Sequence, residues 1–216
     1  VFMNVPGENL KGVYSANEYL TRVNLMAAYK RDEGETPVLT GNRVAVIGGG
    51  NVAMDSVRTA KRLGAGHAMI VYRRTGAEMP ARAEVVHHAE DVGIEFHNLI
   101  APLEVLGDED RWVRALKCVR MELGEPDDSG RRRPVPIEGD IYELAVETVI
   151  TAVSQKPDLG AMGSEELGDG WLNADDWGRT EIEGIWTGGD NINLGIATTS
   201  IGQARKAADS IHAFLR

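Results

Sequence analysis

Apolar positions along the chain alternate between short β-branched runs and stretches of helical period. Tyr19, Leu20, Val23, Leu25 and Met26 follow Ser15 and Glu18, a capping-box pair, and predict a first helix within 9–31. A polar stretch, 32–42, reads as a linker. Arg43–Ile47 then predicts a strand, about 51–63 a helix closed by Gly64, and His67–Tyr72 a second strand. A helix at about 81–92, ended by Gly93, and a third strand at 94–99 follow. This β-α-β-α-β order calls for a parallel sheet with right-handed crossovers.

After residue 99 the pattern changes. Strands at 113–123 and 135–144, joined by the turn-rich tip GEPDDSGRRRP (124–134), predict a long antiparallel hairpin. Residues 145–153 read as a strand buried on both faces. The chain is then Gly-rich and irregular to about 183. Ile185–Thr187 reads as a strand, and about 198–215 as a last helix with Ile201, Ala204, Ala208, Ile211 and Leu215 on one face. The fold class is α/β.

Candidate chemistry begins at the first strand end. Gly48, Gly49, Gly50, Asn51, Val52 and Ala53 contain G-x-G-x-x-A between a strand and a helix, inside a βαβ unit. A glycine at 48 permits the tight turn, one at 50 lets a pyrophosphate approach the backbone, and a small residue at 53 packs helix on strand. The first N–H groups of the helix would face the phosphates. A dinucleotide site for NAD usually carries an acid near the second strand end, yet 65–75 holds none and carries Arg73 and Arg74 instead. Planar, permanently charged guanidinium groups suit a 2′-phosphate, so NADPH is expected over NADH; the bland alternative is a solvated basic turn. A second glycine loop, Gly188-Gly189-Asp190, offers Asp190 to a ribose or ribityl hydroxyl, and the following helix start to a developing negative charge. Its alternative is a corner with an Asp cap.

Composition narrows the classes. The 25 glycines among 216 residues are about 12%, against a usual share of roughly 7%. Net charge −10 argues against a sequence-independent grip on nucleic acid. One cysteine, Cys118, excludes a dithiol pair and a self-contained iron–sulfur or cysteine-type zinc site. No apolar stretch reaches the ~18 residues of a membrane span, and no signal peptide is legible. His67, His87, His88 and His97 read as structural, no metal site is expected, and no triad or paired carboxylate is found, so no catalytic residue is assigned. The 124–134 tip reads as a charged turn, or as a docking surface for a larger subunit.

GGGNVAMD (48–55), VYRRT (71–75), EMPARAE (78–84), HAEDVGIEF (88–96), LGEPDDSGRRRPVP (123–136), TGGD (187–190) and GQARKAA (202–208) together resemble the small (β) subunit of NADPH-dependent glutamate synthase. They are equally similar to related subunits of ferredoxin–NADP oxidoreductases. The resemblance implies a Rossmann-like NADPH-binding domain, 38–156, inserted in an FAD-binding domain of the two-dinucleotide-binding type. Remnants of that second domain would be 1–37 and 157–216. It implies NADPH on Gly48–Ala53 with Arg73 and Arg74, and FAD near Gly189, Asp190, Ala197, Thr198 and Thr199. A hydride would pass from NADPH to FAD and on to iron–sulfur centres or a partner, in the cytoplasm. The partner would be a large amidotransferase or another electron-accepting subunit. Ser154-Gln155-Lys156-Pro157 departs from the family's Gly-Gln-x-Pro. The family's FAD loop and cysteine-rich domain are not in this sequence, so a fragment that holds FAD weakly is expected. Alternatives are a non-catalytic NADP(H)-binding module and a thioredoxin-reductase-type enzyme, against which the missing C-x-x-C counts.

Overall fold

A computed structural model describes residues 2–30, 36–127, 129–159 and 170–216. The chain divides into two compact units, Phe2–Val153 and Ser154–Arg216. That division does not fall at the expected 37/38 boundary, because the segment before residue 37 contributes a strand to the first unit's sheet.

The first unit is built on five parallel strands in the order β1-β8-β2-β3-β4: β1 Val13–Ser15, β2 Arg43–Ile47, β3 His67–Tyr72, β4 Glu95–Asn98 and β8 Thr148–Thr151. β2 is central and covered on both sides. Val44 and Val46 pack with Tyr19, Met54, Val57, Ile70 and Ile150 on one face. Ala45 and Ile47 pack with Met69, Val71, Leu116, Cys118 and Val149 on the other. The helices α1 Ala16–Leu20, α2 Asn51–Arg62 and α3 Ala83–Asp91 cover the first face. An antiparallel sheet of β5 Ile100–Gly107, β6 Val113–Pro126 and β7 Arg132–Ala145 covers the second.

Several expectations are corrected. The first helix is replaced by β1, the short α1 and a π turn at Thr21–Leu25. Ser15 does cap α1, its hydroxyl accepting from the Glu18 N–H at 3.1 Å. The wider π turn shifts the phase of the apolar stripe, leaving Leu25 and Met26 exposed. The hairpin is a three-stranded sheet, because β5 was not legible: Pro102 and bulges at 102–104 and 106–107 break its alternation. Ala145 ends β7, so the buried strand β8 is shorter than 145–153.

In the second unit, α4 Ala197–Phe214 is the single α-helix among the described residues. Its buried positions are Ala207 and Ser210, not the expected stripe, and Ile201 and Leu215 are exposed. Ser210 accepts hydrogen bonds from Arg179 Nε (2.8 Å) and Trp186 Nε1 (3.0 Å), and the Trp186 ring packs edge-on against Phe214. These contacts decide which side of α4 is covered within the unit. Ile185–Thr187 is not a strand; Trp186 forms an isolated bridge to Arg179. The glycine-rich stretch 160–169, residues 32–35 of the expected linker with Arg31 before them, and Asp128 of the 124–134 tip lie outside the described residues. No helix among the described residues is long and apolar enough to cross a membrane.

Ile150 is fully buried in β8. Ile150→Ala is expected to cost about 3 kcal/mol in urea unfolding, from lost transfer energy and a residual cavity. Val92→Ala, at an exposed position, is expected to change stability by less than about 0.5 kcal/mol. Equal losses from the two would contradict this placement of the core.

Candidate nucleotide-binding site

β2 lies where the sheet's chain order reverses, with β3 and β4 on one side and β8 and β1 on the other. The carboxyl end of such a strand opens onto a crevice between outward-running loops, the place where open α/β sheets bind ligands. The chain leaves β2 directly into Gly48-Gly49-Gly50.

Each glycine of the corner has a different reason. Gly48 has φ +141°, and a Cβ there would lie 2.4 Å from the Ala152 carbonyl oxygen. That oxygen cannot move, since the Ala152 N–H donates to Ile47 O at 2.8 Å and locks β8 to β2. A Cβ on Gly49 would meet the Tyr72 ring at 2.7 Å, and Tyr72 is anchored by its hydroxyl donating to Glu78 O. A Cβ on Gly50 would meet nothing within 4 Å. Packing explains the first two glycines, whereas the third faces open space beside the start of α2. Gly50 is also the N-cap of α2, with no side chain capping the helix. Helix-start N–H groups therefore remain available to an anion, in the geometry that suits a pyrophosphate.

Neighbours hold the corner rigid. Gly48 N–H donates to Val71 O, and Gly49 O accepts from Ala81 N–H. Asn51 Oδ1 accepts from the Arg82 N–H at 3.0 Å, tying the approach to α3 to the loop. Ala53 is fully buried under the sheet, as its small side chain requires, while Val52 is exposed at the loop rim.

The two arginines after β3 separate. Arg73 is exposed and its side chain bonds to none of the described residues. Arg74 is 4% exposed. Its Nε donates to Arg132 O at 2.7 Å, and its terminal nitrogen pairs with the Asp127 carboxylate. A phosphate has no access to a guanidinium so enclosed. Of the two arginines expected at a 2′-phosphate, Arg74 is therefore enclosed and instead fastens the β6–β7 turn to the end of β3, while Arg73 stays exposed. Sequence reasoning missed this because the two ends of the ion pair are 53 residues apart, though the acidic and basic halves of the tip were a signal that charge is paired there. Asp127 is held below the usual carboxylate range, chiefly by the Ser129 hydroxyl and also by Arg74. Glu78 is likewise lowered, chiefly by the Thr75 hydroxyl, in a capping box that shapes the loop after Arg74.

In the second unit, Gly189 has φ +67° and its N–H donates to Gln203 Oε1 at 2.7 Å. Asp190 is exposed, and its Oδ1 accepts from the Gly195 N–H. It closes its own loop and does not cap α4, whose N-cap is Ile196. Ala197, Thr198 and Thr199 form an exposed first turn of α4. The Thr187 hydroxyl is buried without a hydrogen-bond partner among the described residues. It borders a cavity of about 470 Å³ lined also by Gly188, Gly189, Ser200, Ala204 and Ile211. His67, His87 and His97 pair with Glu95 or Glu90, and no metal-ligating cluster occurs among the described residues.

Residues 1–210 match the pyridine nucleotide-disulphide oxidoreductases. The chain belongs to that family. It is 44% identical over 185 residues to the NADP(+)-dependent formate dehydrogenase subunit beta of Moorella thermoacetica, covering 83% of this chain and 26% of that protein. It is 34% identical over 219 residues to the glutamate synthase [NADPH] small chain of Escherichia coli, covering 94% of this chain and 46% of that one. The chain thus spans between a quarter and a half of the length of these relatives. Mycobacterium tuberculosis FprA, solved in complex with NADPH, shares the fold with a TM-score of 0.76 at 20% identity, covering 100% of this chain and 61% of FprA. A thioredoxin reductase of Lactococcus lactis does so with a TM-score of 0.70 at 21% identity, covering 99% of this chain and 62% of that enzyme.

Two outcomes follow from this geometry. Gly48→Ala is expected to lower the thermal midpoint by several degrees, because it adds strain and a backbone clash. Gly50→Ala is expected to leave it within about 2 °C; equal effects in calorimetry would refute the assignment of open space at Gly50. Burial raises the Cys118 thiol to about 12, so Cys118 is expected to resist a thiol reagent at pH 8 until urea unfolds the protein. Rapid labelling of the native protein would contradict its burial.

Proposed function

We propose that this chain carries the NADPH-binding part of a flavoprotein oxidoreductase subunit of the glutamate synthase small-chain type. The observation that carries the reading is the Gly50 corner: an open, rigid, uncapped helix start at the switch point of a parallel sheet. The residues fit NADPH. The pyrophosphate would lie against Gly48–Ala53, and the 2′-phosphate against Arg73, the end of β3 having no carboxylate that would prefer a ribose hydroxyl.

The second unit fits part of FAD. Asp190 would present a carboxylate to a ribityl or ribose hydroxyl, and Thr187 holds a buried hydroxyl without a partner among the described residues. Ala197–Thr199 would bring the positive end of the α4 dipole to an electron-rich ring edge. When bound, NADPH would supply a hydride for FAD to accept, a transfer that asks neither acid nor base of the protein. Its residues hold the two groups, with Gly48–Ala53 fixing one and Asp190 and the α4 start steadying the other. In this reading 2–153 is the nicotinamide domain with its entry segment, and 154–216 belongs to the flavin domain. Electrons would continue to iron–sulfur centres and a large amidotransferase or another electron-accepting subunit.

Titration calorimetry with NADPH and NADH tests the reading. Gly50→Ala is expected to weaken both nucleotides at least about tenfold while the protein stays folded, since a methyl would occupy the pyrophosphate's place. Arg73→Ala is expected to weaken NADPH alone, by roughly 10- to 100-fold, the range for lost charge-assisted hydrogen bonds. NADPH affinity unchanged in both variants would sink the assignment.

A further inference from the structure

A 2′-phosphate carries close to two negative charges, and with Arg74 enclosed only Arg73 of the pair faces solvent. One guanidinium is a thin counter-charge in a protein of net charge −10 with Glu78 nearby in the same loop. The structure brings another cation to that place. β7 begins at Arg132, and Arg74 Nε donates to its carbonyl at 2.7 Å. The Arg132 side chain is exposed, donating to Leu123 O (2.7 Å) and Gly124 O (3.4 Å). Those partners are neutral carbonyls, so its charge meets no carboxylate in an ion pair among the described residues. Its charge is also the smallest of the influences that lower the Glu78 carboxyl, a reduction due first to the Thr75 hydroxyl. The Arg74–Arg132 contact thus sets the start of β7 beside the loop after β3, across 58 residues of sequence.

We propose that Arg132 is the second 2′-phosphate ligand, and that Arg74 and Asp127 are positioning residues that latch the β6–β7 turn against the end of β3. The inference rests on the NADPH reading above and deepens it. The latch has a physical logic. A buried guanidinium is tolerated only when paired and hydrogen-bonded, so Arg74 holds Asp127 and the Arg132 carbonyl in one arrangement. Asp127 in turn orders the turn by accepting from the Ser129 N–H and hydroxyl. Nucleotide preference would then depend on the antiparallel sheet as well as on the parallel one. The 14-residue strands β6 and β7 would have a function in reaching that far: they carry a cation to the nucleotide.

The test compares NADPH and NADH dissociation constants in the full chain. Arg132→Gln is expected to weaken NADPH roughly tenfold or more and leave NADH within about twofold, while Arg132→Lys, which keeps the charge, retains most of the preference. Asp127→Asn is expected to cut the NADPH preference by a similar factor though Asp127 is itself an anion. Losing a nearby negative charge would otherwise strengthen phosphate binding, so the sign discriminates. Combining Asp127→Asn with Arg132→Gln is expected to cost little more than Arg132→Gln alone, as for residues acting through one contact. An Arg132→Gln protein with the wild-type ratio, or an Asp127→Asn protein that binds NADPH tighter, would overturn the proposal. If Arg73→Ala lowers NADPH affinity in that case, the NADPH reading stands and only the latch fails. If Arg73→Ala is also silent, both fail.

Discussion

The hydrogen bond from Ala152 N–H to Ile47 O, and the carbonyl of Ala152 that it immobilises, govern the site. β2 and β8 end side by side, so the chain leaving β2 must turn immediately above the Ala152 carbonyl. Only a residue without a Cβ passes there, and it must do so at φ +141°. The start of α2 is fixed by that turn, and with it the open space at Gly50. A ligand pyrophosphate would meet donors that are already placed, so little ordering is left to be done on binding.

The sheet's double burial supports this constraint. Val44 and Val46 face the helices while Ala45 and Ile47 face the antiparallel sheet. β2 is thereby clamped from both sides, which fixes where the glycine corner begins. The antiparallel layer is more than a cover. It shields the second face of the parallel sheet, and its distal turn is fastened to the end of β3 by the Arg74–Asp127 pair. One layer thus supplies packing at one end and a polar contact with the end of β3 at the other.

The second unit is organised by polar contacts where the first is organised by an apolar core. Ser210 draws Arg179 and Trp186 onto α4, and Gln203 holds the Gly189 backbone. Few large side chains among the described residues of this unit are buried, and Ile201, Phe214 and Leu215 remain exposed. The unit therefore depends on directional bonds to keep Asp190 and the α4 start in place.

The parallel βαβ core, the glycine corner and the lack of an acid after β3 were legible in the sequence, because each is a local pattern. Strands show as apolar runs, helix ends as glycines, and a phosphate corner as spacing. Phase was not legible at residues 21–25, where a π turn rotates the stripe, nor in β5, where Pro102 and two bulges hide the alternation. By itself the sequence determined the α/β class and the place of the glycine corner after β2. The tertiary structure alone decided that Arg74 is enclosed while Arg73 stays exposed. Two adjacent residues at a strand end face opposite sides, and which of them is buried depends on whether Asp127, brought back by a 14-residue strand, is there to meet it.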